Sequence, residues 1–475
     1  MAKTHKTIFG TTEKSNFILN MTNDQFNKLA SVMFTIGFSL IFVLSAVAEL
    51  MSKGKITVAT YDWKIVPSVS LGITGILAIS IFIIAFIKQT LSKKQIVASV
   101  IALVLAVCMY ISYVNAMTTV QDYNAFLGFR YGRYEGLMVY LSYLFIFLGS
   151  MTINKETTVR NIFRVFSVIT VMQSIWSGLQ FISSFPSFYY KVPYIMQPIM
   201  LPSGTTGSPA YLATFMACGL AVSVFSASND KSKVFSFIHK AAILGSAFCL
   251  TKTQTLLGYI SIIVIVAAVL ADHFRNRKSG NKESSTLLLM FTGLAAAAAL
   301  IIIKGFAVYD GEVIWQDGCT RIAAFGQYST SIEGAINIHS LGEVYPYLWG
   351  KAYDIIKQFP VTGIGPDAFI FLQRKGSIND VPLSVDRPYN EYLYYAATFG
   401  IPAAVSVAAA FFCSAANGVV SAAKNKSWVF RSAAVIAVLY TATAVITNST
   451  ATVTPFIWFM LGTCCATIDE KKAEK

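Results

Sequence analysis

The chain has 475 residues, of which 55% are hydrophobic and only 13% charged, with a mean hydropathy of +0.59. Those proportions exclude an ordinary soluble globular domain. A net charge of +14 raises nucleic acid as a partner. The Lys and Arg residues, however, sit in short intervals between apolar runs, with no basic stripe interleaved with aromatics of the kind that grips single strands. No nucleic-acid partner is therefore expected.

Apolar runs long enough to cross roughly 30 Å of hydrocarbon as helices recur along the whole sequence, and they lack the period-2 alternation of a membrane barrel. The expected fold is all-α: a polytopic membrane protein with about twelve transmembrane helices and one long, partly helical extracytoplasmic loop. Residues 1–28 form a polar N-terminal tail with Lys3, Lys6 and Lys14 and no cleavable leader. The segment 29–303 then holds nine spans, near 29–50, 66–87, 96–117, 136–153, 165–184, 208–227, 235–251, 255–272 and 286–303. The interval 304–392 is the loop, and 393–467 holds three more spans, near 393–415, 432–447 and 454–467, before a short tail at 468–475.

Charge sets the orientation. With the N-terminus inside, the intervals facing the cytoplasm carry 23 of the 37 Lys and Arg residues, and half of the other 14 lie in 304–392 alone. Long loops cross regardless of charge, so the short ones decide. Both termini are expected in the cytoplasm, the protein in the plasma membrane and the loop outside. No repeat relates the two halves, as it would in many secondary transporters. Six of the seven cysteines (Cys108, Cys218, Cys249, Cys413, Cys464 and Cys465) lie in apolar runs and Cys319 stands alone in the loop. No spacing matches a zinc site or a disulfide framework. Neither a metal nor another cofactor is expected.

The loop carries structure signals of its own. Leu348, Tyr353, Ile355, Ile356 and Phe359 alternate with Lys351, Asp354 and Lys357 over 344–359, the pattern of an amphipathic helix, which Pro360 stops. Gly363 and Gly365 then require a tight, Cβ-free passage. Asp367, Arg374, Lys375, Asp386, Arg387, Tyr389, Asn390 and Glu391 crowd toward the mouth of the next apolar run, which continues through Gly400. Ionisable groups there are costly to desolvate and mark a site by default.

Several segments together resemble the bacterial O-antigen ligase and polysaccharide polymerase family, polytopic glycosyltransferases of the GT-C class that use undecaprenyl-diphosphate-linked sugars. Pro360-Val-Thr-Gly-Ile-Gly-Pro-Asp-Ala-Phe369 is similar to the family's P-x-x-G-x-G-x-x-x-F element, and Arg387-Pro-Tyr-Asn-Glu-Tyr-Leu393, closing at Phe399-Gly-Ile-Pro402, to its P-H-N-x-x-L element. Leu201–Leu212, with Gly204, Gly207 and Pro209, resembles its Gly-rich turn into a mid-chain span. Val171–Gln180 resembles a span end with spaced glutamines, and Leu250–Gly258 a T-x-S-R-x-x-x-x-G element. Gly132-Arg-Tyr-Glu-Gly136 is familiar from Gram-positive members. The family's usual histidine is Tyr389 here, and its usual arginine in Thr251–Gly258 falls on Gln254, with Lys252 two residues earlier.

The resemblance implies an inverting, metal-independent transfer of a glycan from an undecaprenyl-diphosphate-linked saccharide to a saccharide or glycolipid acceptor at the surface of the lipid bilayer. Such a reaction needs cationic donors for the departing diphosphate and a base for the acceptor hydroxyl. Arg387 is the first candidate for the diphosphate, with a headgroup-anchoring arginine as the alternative. Arg133 and Glu135 are further candidates, or else a structural ion pair. Lys252 sits in a very short external turn, for anion contact or for snorkelling, and Arg321 lies deeper in the loop. Asn390 suits sugar hydroxyls. Glu391 is the candidate base: burial would raise its pKa, whereas a salt bridge to Arg387 would lower it. Tyr389, with an ordinary pKa of ~10, is a hydrogen-bond donor rather than a base. Two other readings stay open at this point, a transporter or flippase for a lipid-linked saccharide and a catalytically inactive member.

Overall fold

The computed structural model describes residues 17–52, 65–119, 124–128, 134–182, 202–253, 255–275, 282–304, 306–309, 312–315, 344–369, 377–378, 381–382, 387–425 and 427–468. Its helices are α1 (Phe17–Asn20), α2 (Asn23–Ser52), α3 (Ile65–Ile87), α4 (Lys93–Thr119), α5 (Leu137–Met151), α6 (Glu156–Ile182), α7 (Pro209–Ala227), α8 (Lys233–Lys252), α9 (Leu256–Arg275) and α10 (Lys282–Lys304). After the long polar interval come α12 (Glu391–Phe399), α13 (Ile401–Asn425), α14 (Trp428–Thr443) and α15 (Thr454–Cys465). Eight of these (α2, α3, α4, α6, α7, α8, α9 and α13) are long and apolar enough to cross a membrane. Four shorter apolar helices, in α5, α10, α14 and α15, accompany them. The chain is a multi-pass helical membrane protein.

Helix starts are written locally. Thr22 and Gln25 exchange hydrogen bonds ahead of α2, Thr22 N–H to Gln25 Oε1 (2.8 Å) and Gln25 N–H to Thr22 Oγ1 (3.2 Å). Ser92 and Gln95 do the same ahead of α4. Each pair is a capping box that satisfies two otherwise orphaned donors. At the centre, α7 is buried over 94% of its span. Its small residues admit close neighbours: a Cβ on Gly219 would stand 2.5 Å from Thr170 Cγ2 of α6. Its Phe215 packs on Phe166 and Phe456, with ring centroids 5.2 Å apart in both cases. In lipid, packing of this kind rather than hydrophobic exclusion holds helices together.

The two ends of the bundle differ. One end is basic and laced with ion pairs: Lys155 with Asp24, Arg431 with Asp272 (2.6 Å), and a two-pronged contact from Arg164 to Asp230 (2.7 and 2.6 Å) that holds the Asp230 carboxyl well below its usual range. The opposite end carries the long interval 304–392. Its described parts include two short antiparallel pairs, β1 (Phe306–Tyr309) with β2 (Glu312–Trp315) and β3 (Ser377–Ile378) with β4 (Val381–Pro382), and the amphipathic helix α11 (Val344–Gln358).

Two expectations about spans need correcting. The tenth span, placed at 393–415, is broken at Gly400 into α12 and α13. Gly400 has φ +89°, and a Cβ there would lie 2.0 Å from the Val361 carbonyl oxygen, so the break is where the 360–365 passage crosses. Ile401 N–H donates to Pro360 O, Ile364 N–H to Ala397 O and Gly365 N–H to Thr398 O. Gly363, at φ +63°, would put a Cβ 2.2 Å from Thr398 O. The twelfth span is too short for a full crossing. The 12 residues of α15 rise about 18 Å, and residues 444–453, non-helical, precede it.

Impermeant thiol labelling of cysteine-free protein carrying one new cysteine tests the two-ended map. Lys351→Cys is expected to react from outside intact cells and Lys231→Cys only after permeabilisation. Reaction of both from one side contradicts it.

Candidate active site

The Gly400 end is assembled around irregular backbone. Residues 444–453 enter the bundle without helix, and the backbone N–H and C=O of Ser449 and the N–H of Ala451 are met by side chains from distant segments. Glu391 Oε2 accepts from Ser449 N–H (2.7 Å), Glu135 Oε1 from Ala451 N–H (3.1 Å), and Arg387 Nη1 donates to Ser449 O (2.5 Å). Arg387 Nη2 also meets Glu135 Oε2 at 2.5 Å, and its guanidinium carbon stands 5.1 Å from the Tyr394 ring centroid. Arg387 and Glu391 are fully buried and Glu135 nearly so. Three segments far apart in sequence are thus clasped by one cation between two carboxylates.

Each member is positioned by local geometry. Asn390 caps α12, its Oδ1 accepting from Leu393 N–H (3.0 Å), which sets Glu391 in the first turn. Tyr389 adopts φ +49°, and Trp349 of α11 donates its indole N–H to Pro388 O (3.1 Å). The turn 124–128 packs on the non-helical segment 134–136 that presents Glu135: Gly136 N–H donates to Leu127 O, and a Cβ on Gly128 would meet Glu135 N at 2.6 Å and Asp367 Oδ2 at 2.8 Å. Tyr389 and Trp349 pack with Leu256 around Ile446. Lys252, buried in the last turn of α8, lies four residues before Leu256.

A second irregular passage, 203–208, is held in the same manner by neutral amides. Gln180 Oε1 accepts from Ser203 N–H (3.1 Å) and Gly204 N–H (2.8 Å), and Gln173 Oε1 from Thr205 N–H (3.1 Å). Two motifs quoted separately from the sequence, the spaced glutamines and the Gly-rich turn, are therefore one structure.

Burial pushes the Glu391 carboxyl up to about 7, against the opposing pull of the Arg387 charge. Its Oε1 has no hydrogen-bond partner, and neither do Ser449 Oγ or the two amide atoms of Asn448, all buried. Glu391 is thus a near-neutral carboxyl with one oxygen anchored and the other unengaged. Among the described residues no group of three or more His, Cys, Asp or Glu could hold a metal ion.

The residues singled out from the sequence divide accordingly. The structure brings Glu135, Arg387 and Glu391 together, places Asn390 as their cap and Tyr389 beside them, and uses Gly363 and Gly365 to thread the passage against α12. Arg387 does not face outward: its guanidinium is committed to Glu135 and Ser449. Arg133 and Arg321 lie outside the described residues. Sequence reasoning missed the segment Thr447-Asn-Ser-Thr-Ala-Thr452. Its run of hydroxyl and amide side chains between two apolar helices is more than a short turn requires, and that was the available signal.

Removing one partner of a buried pair strands the other's charge, at a cost of about 3–5 kcal/mol. Glu135→Ala and Arg387→Ala are each expected to destabilise the purified protein by that amount, and the double variant by much less than the sum. Additive losses in thermal unfolding would contradict the pairing.

Residues 241–408 match the family model described as O-antigen ligase. No curated protein matches the chain. The matched stretch contains Lys252, the Pro360–Phe369 passage, Arg387, Tyr389 and Glu391, while Glu135 and Ser449, which complete the clasp, lie on either side of it. Over this stretch, a little over a third of its length, the chain is similar to the O-antigen ligase family.

Proposed function

We propose that the protein is a glycosyltransferase that moves a glycan from an undecaprenyl-diphosphate-linked donor to a saccharide or glycolipid acceptor on the outer face of the plasma membrane. The observation that carries this reading is Glu391: a buried carboxyl held at one oxygen by Ser449, unengaged at the other, with a pKa about 7, inside the family-matched stretch. In this reading Glu391 takes the acceptor hydroxyl's proton as the hydroxyl attacks the anomeric carbon and the bond to the lipid diphosphate breaks. Tyr389, next to the cap of the same helix, orients a sugar or phosphate oxygen by hydrogen bonding, in the position where the family carries histidine. Asn390 contributes through the helix it caps.

The diphosphate is assigned to Lys252 with Arg133 and Arg321, because Arg387 is engaged within the clasp. Arg387 and Glu135 act as positioning residues that keep Glu391 and residues 449–451 in register. Metal-independent chemistry and inversion at the anomeric carbon belong to the same proposal: a direct displacement by the acceptor, assisted by a carboxylate, inverts that carbon.

Purified protein incubated with a short-chain diphosphate-linked donor is expected to yield extended glycan and free lipid diphosphate. Turnover should rise as pH passes upward through about 7, because the ionised carboxylate is the base. Glu391→Gln should lower the rate about 10²–10⁴-fold and abolish that rise, while Tyr389→Phe, losing one neutral hydrogen bond, should cost about tenfold or less. A Glu391→Gln protein with undiminished turnover across pH 5–8 would remove Glu391 as the base.

A further inference from the structure

A cavity of about 200 Å³ lies at the basic end, away from Glu391, between α4, α5, α13 and α15. It exists because small residues face one another there, Ala98 on α4 and Ala410 on α13, with Ile101 and Phe147 as the flanking walls. Its walls are overwhelmingly apolar, so it is neither sized nor furnished for a single ordered water. Val97, 60% exposed beside Ala98, lies on its lining and opens it toward the lipid-facing side of α4.

The rim differs in character from the walls. Lys94, exposed at the first turn of α4, borders the cavity, with Lys93 next to it and Asn417 across on α13. No carboxylate lines the cavity, and Lys94 forms no ion pair among the described residues. From Lys94 to Ile101 is seven residues, about 10 Å of helix. The backbone of Lys94 therefore lies about 10 Å along the helix from that of Ile101, the farthest cavity residue on α4. That separation suits a phosphate at the interface with an acyl chain below it.

We propose that this cavity binds an anionic phospholipid of the leaflet at the basic end, one acyl chain between Ala98 and Ala410 and its phosphate on Lys94. The commitment to an anionic phospholipid rests on charge: Lys94 borders the cavity, no carboxylate lines it, and it lies on the end where other lysines and arginines gather. It is independent of the reaction assigned to the opposite end.

The test is lipid retention by full-length protein, read by native mass spectrometry after equilibration with phosphatidylglycerol, phosphatidylcholine and a polyprenyl phosphate in equal amounts. The parent should retain phosphatidylglycerol about fivefold over phosphatidylcholine, the factor corresponding to the roughly 1 kcal/mol that one lysine contributes near an anionic surface. Lys94→Gln, a change at an exposed position, should bring the two to parity. Ala98→Trp, or Ala410→Phe from the facing wall, should abolish retention of both. Equal retention by the parent, an unchanged preference in Lys94→Gln, or preferential retention of the polyprenyl phosphate would each overturn the proposal.

Discussion

The structure at the Gly400 end depends on two buried carboxylates and one buried guanidinium holding a stretch of non-helical backbone inside a membrane protein. Backbone polar groups within the bilayer's reach must be satisfied by the protein itself, which is why spanning segments are normally helices. Residues 444–453 depart from helix, and Ser449 and Ala451 find their partners in Glu391, Glu135 and Arg387. Ionised groups are expensive to bury, and an ion pair alone seldom repays that cost. Here each carboxylate also accepts a backbone N–H and the guanidinium also donates to a backbone carbonyl. The charges hold one another while holding the chain.

The same end shows a cheaper solution to the same problem. The 203–205 turn is pinned by Gln173 and Gln180, which offer matched amide donors and acceptors without a charge to desolvate. The clasp at 449–451 uses charged groups instead. A carboxyl whose pKa lies near neutrality can exchange a proton near physiological pH, and burial, with a smaller push from the Glu135 charge, moves Glu391 that far from its ordinary value. The clasp and the proposed chemistry thus draw on one property of the site.

Much of this was legible in the residues. Apolar runs marked the helices, Pro360 marked the end of α11, and Gly363 and Gly365 marked a tight passage, because each sits where a Cβ has no room. Glu391 stood out as an ionisable group at a helix mouth. Other features were hidden for physical reasons. A hydropathy window averages over a break, so the split at Gly400 looked like one continuous span. The partner of Arg387 could not be read off, because Glu135 is 252 residues away in the chain and its nearest charged neighbour in sequence, Arg133, was the obvious mate. Arg387, read from the sequence as a diphosphate ligand or a headgroup anchor, is interior and paired with Glu135.

Hydrogen–deuterium exchange at the amides of Ser449 and Ala451 tests the clasp most directly. Replacing the pair together, Glu135→Met with Arg387→Met, removes both charges without stranding either, so the bundle should remain folded. The account predicts that the Ala451 amide then loses its protection by about tenfold or more, equivalent to one hydrogen bond of roughly 1.4 kcal/mol, while the interiors of α7 and α8 exchange as before. Unchanged protection at Ala451 in a folded double variant would contradict the claim that these side chains hold the unwound segment in place.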